Sequence, residues 1–94
     1  MIRGYKNRRT ERVAEGIRRG FKGLDYDEVW EKLDTLNAIK TLEQIPPLKS
    51  WNLHRLKGNL KGKWAINING PWRLVFDWTE GGPKNVEITD YHKG

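Results

Sequence analysis

The chain has 94 residues, a formal charge of +6, no cysteine and two histidines. One modest hydrophobic core fits this length and two do not. Disulfides and thiol chemistry are excluded, and most zinc sites would need carboxylates beside His54 and His92. There is no run of about eighteen apolar residues and no charged-then-apolar amino terminus, so neither a membrane span nor a secretory signal is expected. The cytoplasm is the expected compartment, with no membrane partner.

Met1 to Lys6, with Ile2 and Tyr5 among polar neighbours, reads as a short first strand. From Asn7 or Thr10 onward Val13, Ala14, Ile17 and Phe21 recur at helical spacing, ringed by Arg8, Arg9, Arg12, Arg18 and Arg19, although Gly16 and Gly20 make this helix poor or short. Arginines on the polar face of such a helix are as a rule simply solvated. A second helix is predicted over 25–40. Asp25 is a good N-cap with Glu28 three residues on, and Asp27, Glu28 and Glu31 put negative charge where the macrodipole favours it. Tyr26, Val29, Trp30, Leu33 and Leu36 form its apolar stripe.

Pro46-Pro47 makes residues 41–50 a connector. Trp51 to Leu56 alternates as a strand, with Trp51 and Leu53 on one side and Asn52 and His54 on the other. A glycine-bearing basic loop, residues 57–62, leads into the clearest hairpin in the chain. In it Trp64, Ile66, Ile68, Trp72, Leu74, Phe76 and Trp78 share one face, and Asn67, Arg73 and Asp77 the other. Asn69-Gly70 supplies the positive φ angles a tight turn needs. Gly81-Gly82-Pro83 is a second turn signal, followed by a strand over 85–91 with Val86 and Ile88 facing one way and Glu87, Thr89 and Tyr91 the other. The expected class is α+β: two amino-terminal helices on one face of a mostly antiparallel sheet of four to five strands, in a single domain spanning 1–94.

Charge is distributed unevenly. Residues 1–24 carry eight bases and two acids, residues 25–47 two and six, and residues 48–94 eight and four. No Asp or Glu occurs from Gln44 to Phe76, whereas Lys49, Arg55, Lys57, Lys61, Lys63 and Arg73 all fall inside that span. A one-signed stretch around a hairpin suits a phosphate-binding surface, with an ordinary solvated basic face as the bland alternative.

By strand parity His54, Arg73 and Tyr91 share the helix-free face, with Lys57 in the adjoining loop, and Asp90-Tyr91-His92 comes near the end of the sequence. Two His, one Asp, one Tyr and several cations suit acid–base work on a phosphodiester. RNA carries its own nucleophile in the 2′-OH, so a base, an acid and cations for the developing phosphorane charge suffice, and no cofactor or metal is expected. Taken singly, His54 reads as a half-buried strand histidine, His92 as a terminal residue and Tyr91 as an ordinary strand residue.

The segments Pro47-Leu48, Leu53-His54-Arg55-Leu56-Lys57-Gly58, Gly62-Lys63-Trp64-Ala65-Ile66, Trp72-Arg73-Leu74-Val75-Phe76 and Asp90-Tyr91-His92 resemble the HigB-type toxins of the RelE/ParE superfamily. The resemblance runs nearly end to end and is most specific in the second half. It implies a microbial RNase fold with the active site on the concave face opposite the helices. The implied activity is cleavage of messenger RNA in the A site of the 70S ribosome, and the implied partner is a HigA-like helix-turn-helix antitoxin. Carried over by position, His54 and His92 transfer protons and Asp90 orients or tunes one of them. Lys57 and Arg73 hold the phosphate, Tyr91 packs on the mRNA, and Arg55, Lys61 and Lys63 add backbone contacts. RelE proper relies on Lys and Arg with a Tyr, so the histidine pair favours the HigB branch. In an ideal strand Asp90 has the wrong parity for the open face, which requires the chain end to twist or leave the sheet. Two other readings remain: a ParE-like gyrase inhibitor, and a non-catalytic basic domain that binds RNA or ribosomes.

Overall fold

The computed structural model describes residues 1–90 of the chain. Within them the order is α1 (Arg8–Ala14), α2 (Tyr26–Ala38), β1 (His54–Arg55), β2 (Trp64–Asn67), β3 (Arg73–Thr79) and β4 (Gly82–Thr89), with 3-10 turns at Leu42–Gln44 and Gly58–Leu60. The strands pair antiparallel in the spatial order β1-β2-β3-β4. Both helices lie on one face, so the α+β arrangement is the expected one.

The Asn7 side chain accepts from the Thr10 amide at 2.9 Å and starts α1, and Gly16 at φ 104 turns the chain out just beyond its end. A left-handed residue one or two positions past the last turn is the usual helix stop. Ile17 and Phe21 therefore lie in the following loop and not on the helical stripe expected for them. Phe21 still reaches the core, edge-on to Trp72 at 5.4 Å between ring centroids. For α2, Asp25 accepts from the Glu28 amide at 3.1 Å, as its capping pattern predicts. Val29, Leu33 and Leu36 are buried. The half-buried Tyr26 and Trp30 use their polar ends as latches, the Tyr26 hydroxyl donating to Phe21 O (3.1 Å) and the Trp30 indole N–H to Val13 O (2.6 Å). Aromatic rings with a polar tip suit this position, where one end is dry and the other must be satisfied.

The hairpin pairs Trp64 with Phe76 and Ile66 with Leu74, so these four side chains share the helix-covered face. They join Val13, Val29, Leu33, Leu36, Val86 and Ile88 in one core. Full burial of each such side chain contributes roughly 1.5 to 3 kcal/mol. At the turn, Trp72 N donates to Asn69 O (2.9 Å), and of the Asn69-Gly70 pair only Gly70 adopts positive φ, at 50. Asn69 works through its side chain instead: Oδ1 accepts from Asp25 N and Nδ2 donates to Gly23 O, both at 2.8 Å, tying the hairpin tip to the start of α2.

Other boundaries differ from expectation for local reasons. The first segment makes a parallel bridge, Tyr5 to Val86, instead of a strand. Its backbone bonds run from Arg3 N to Pro83 O, Val86 N to Gly4 O and Lys6 N to Val86 O. The strand expected over 51–56 shrinks to two residues. Asn52 adopts φ 44, and the Trp51 and Asn52 amides both donate to Leu48 O, so the chain straightens only at His54. The last strand begins at Gly82, earlier than expected, because Thr79 pairs with Gly82 across a two-residue turn. A bulge then shifts the β3–β4 register between Val75 and Asp77, where Asn85 adopts φ 54. Such an extra residue tightens the local twist.

The far face of the sheet is not wholly polar. Leu56, Ala65 and Val75 are buried there, with Leu60 packed against them. The basic loop thus folds over part of the face that alternation had left open. No helix among the described residues is long and apolar enough to cross a membrane.

Candidate active site

Register decides which side chains share the helix-free face. His54 pairs with Ala65, Ala65 with Val75 and Val75 with Glu87, while Asn67 pairs with Arg73 and Arg73 with Thr89. His54 and Arg73 therefore lie on the same face, as their parity predicts. At ordinary strand spacing they stand about 10 Å apart across the sheet and about 7 Å along it. Thr89 is the last residue of β4, and Asp90 follows it beyond the end of the ladder. The sheet thus ceases to dictate Asp90's side at the position where strand parity was unfavourable. Tyr91 and His92 lie outside the described residues.

His54 is half-buried, and its Nδ1 is 2.7 Å from Asn52 O. A carbonyl can only accept, so this contact is made by the tautomer that carries its proton on Nδ1. The left-handed Asn52 turns that carbonyl back toward the ring. The turn is in turn fixed from below: Asn67 N donates to Trp51 O (2.8 Å), and Lys32 Nζ donates to Ser50 O (2.7 Å) and Asn67 O (2.8 Å). Lys32 is 1% exposed and also pairs with Glu28 Oε2 at 2.9 Å. One buried lysine on α2 therefore locks the segment before His54 to the residue facing Arg73. Sequence reasoning passed over it, although a base three residues after Val29 and four before Leu36 falls inside the apolar stripe.

Arg73 is half-buried, with Nη1 donating to Gly70 O (2.8 Å) and Trp72 O (2.9 Å). The two carbonyls take the hydrogens of one nitrogen, and the guanidinium's other N–H groups make no hydrogen bond among the described residues. Beside it, the Oδ1 of Asn67 is buried and has no hydrogen-bond partner among the described residues. Alternation along β2 puts Asn67 on this face.

The four further cations separate into three environments. Lys57 and Lys61 are exposed and line, with Arg55, Leu56, Gly58 and Gly62, a depression of about 640 Å³. Arg55 pairs with Trp64 in the ladder and its guanidinium carbon is 5.5 Å from that ring's centroid, so it leaves β1 on the side opposite His54. Lys63 is engaged, with Nζ 3.1 Å from both carboxylate oxygens of Asp77. The Asn85 amide also donates to Asp77, at 2.9 Å. These partners, Asn85 first and Lys63 after it, hold the Asp77 carboxyl below the usual carboxylate range against the opposing effect of burial.

Two helices lie on one side of a four-stranded antiparallel sheet, and a histidine, an arginine and a lysine-bearing loop lie toward the other, which makes this a small α+β domain with a basic open face. The family model described as the RelE-like toxin of type II toxin-antitoxin system HigB matches residues 12–92, and the chain belongs to that family. It is similar to Endoribonuclease HigB of Proteus vulgaris, 32% identical over 98% of this chain and 100% of that protein. It is also similar to Toxin HigB-1 of Vibrio cholerae serotype O1, 36% identical over 69% of this chain and 67% of that protein. The chain is thus the toxin of a type II pair, and an antitoxin is its partner.

Proposed function

We propose that this toxin is a ribosome-dependent endoribonuclease that cuts messenger RNA in the A site, acting from the cytoplasm against translation. The 2′-OH attacks the adjacent phosphorus, the bond to the 5′ oxygen breaks, and a 2′,3′-cyclic phosphate and a 5′-hydroxyl end remain. His54 and His92 divide the two proton transfers, His54 through Nε2, and Asp90 orients or tunes one of them. Arg73 and Lys57 bind the phosphate and its developing charge, Tyr91 packs on the RNA, and Arg55, Lys61 and Lys63 supply backbone attraction. A phosphodiester needs a proton acceptor, a proton donor and fixed cations and no further nucleophile, so this set requires no metal for the chemical step. A HigA-like helix-turn-helix antitoxin restrains the toxin.

The observation that carries this reading is the shared face of His54 and Arg73, with Asp90 directly after the residue paired to Arg73. It is tested in a purified translation complex with mRNA in the A site. His54→Ala and Arg73→Ala should each slow cleavage by about 100-fold or more, the usual scale for losing a proton-transfer group or a charge stabiliser. Wild-type rates in both would refute the residue assignment. Equal cleavage of free and ribosome-bound RNA would refute ribosome dependence.

A further inference from the structure

The loop that carries Lys57 and Lys61 is closed at one residue. Lys63 O accepts from Leu56 N (2.9 Å) and Lys63 N donates to Leu60 O (3.0 Å), so both sides of the loop meet at position 63. Its apolar footing is thin, with Leu56 and Leu60 set against Ala65 and Val75. From Arg55 to Lys63 the chain holds four cations and no acid, and their mutual repulsion works against a closed loop. Asp77 on β3 supplies the opposing charge. Both of its carboxylate oxygens take the Lys63 ammonium at 3.1 Å, and the other three cations of the segment have no carboxylate at ion-pair distance among the described residues. Asp77 is itself held. Val75 opposes Glu87 and Asp77 opposes Lys84, so the bulge brings Asn85 beside Asp77, where its amide donates to Oδ2 at 2.9 Å.

We infer that Asp77 is a positioning residue for the proposed reaction: through Lys63 it holds the basic loop against the sheet, so that Lys57 stands where the scissile phosphate arrives. The inference rests on the phosphate role proposed for Lys57. Stability alone is the weaker account, because the Lys63 and Asp77 side chains are 21% and 33% exposed, and an ion pair so open adds little to folding. Its effect on the loop is larger. A loop with few buried apolar contacts opens locally at little cost, so one side-chain tie decides how much of the time it is closed. A reacting group displaced by about 1 Å can lose up to about 100-fold in rate, which makes the closed fraction matter for cleavage.

The test is a double-mutant cycle on mRNA cleavage in the purified translation complex, using Asp77→Asn, Lys57→Ala and the two together. Each variant is checked by its thermal melt and assayed at a temperature where it is fully folded. Asp77→Asn keeps an acceptor for the Asn85 amide and removes the charge that holds Lys63. It should slow cleavage about tenfold when Lys57 is present and by less than about twofold when Lys57 is already alanine, because a residue that acts through another is not additive with it. Hydrogen exchange in Asp77→Asn should quicken more at the Leu56 and Lys63 amides, which close the loop, than at those of Ile66 and Leu74 in the hairpin. Equal losses in both backgrounds, or no loss with Lys57 present, overturn the inference. Unchanged exchange at Leu56 and Lys63 overturns it as well, whatever the rates. Lys57→Ala that cuts like wild type refutes the phosphate role of Lys57, and the positioning role of Asp77 falls with it.

Discussion

Lys32→Met tests whether the buried lysine holds the site together. The substitution keeps the length of the side chain and removes its ammonium. Ser50 O and Asn67 O lose donors at 2.7 and 2.8 Å, while Glu28, whose side chain is 36% exposed, can turn to water. An orphaned buried acceptor costs about 1 to 3 kcal/mol, and dropping the burial of a charge offsets part of that, so a net loss of about 2 to 3 kcal/mol is expected. For a domain of this size that lowers the melting temperature by roughly 10 to 20 °C. Circular dichroism melts measure the stability, and cleavage in the translation complex, at a temperature where the variant is fully folded, measures the site. The variant should cut more slowly than its folded fraction explains, because the turn presenting Asn52 O to His54 has lost its anchor. A melting temperature within roughly 2 °C of wild type would refute the reasoning.

Asn69→Ala removes two hydrogen bonds that join the hairpin tip to the start of α2. It should lower stability by about 1 to 2 kcal/mol and speed hydrogen exchange at the Asp25 amide, whose acceptor is gone; unchanged exchange there would show that the tip is held by other contacts. Asp77 supplies a pH dependence. Its folded pKa is depressed by Asn85 and Lys63, so its contribution is fully present above the unfolded value of about 3.9 and is lost as pH falls through the folded value. Asp77→Asn should therefore melt below wild type at neutral pH, and the gap should close in strong acid. A gap that stays constant down to about pH 2 would exclude this ion pair as its source.

Local chemistry made much of this fold readable from the chain. The Asp25 cap and the 29/33/36 stripe dictate α2, and strict alternation from Trp64 to Trp78 dictates a hairpin with one oily face, because helical and pleated periods are written directly into side-chain order. With the hairpin fixed, the face of Arg73 follows from parity alone. The same logic places His54 on that face, although its strand is shorter than alternation implied.

Long-range contact decided the rest. The turn at Asn52 that trims β1 is held by Asn67 N on Trp51 O, and the bulge at Asn85 by its amide on Asp77, both contacts across the sheet. Composition gave the basic loop a phosphate-binding reading, and only folding revealed that Leu56 and Leu60 press it onto Ala65 and Val75. The apolar stripe places Lys32 toward the core, but nothing in the sequence names its partners. It becomes the anchor of the site because carbonyls from positions 50 and 67, distant in the chain, converge where its ammonium is buried, and a contact across such separations leaves no local periodicity to read.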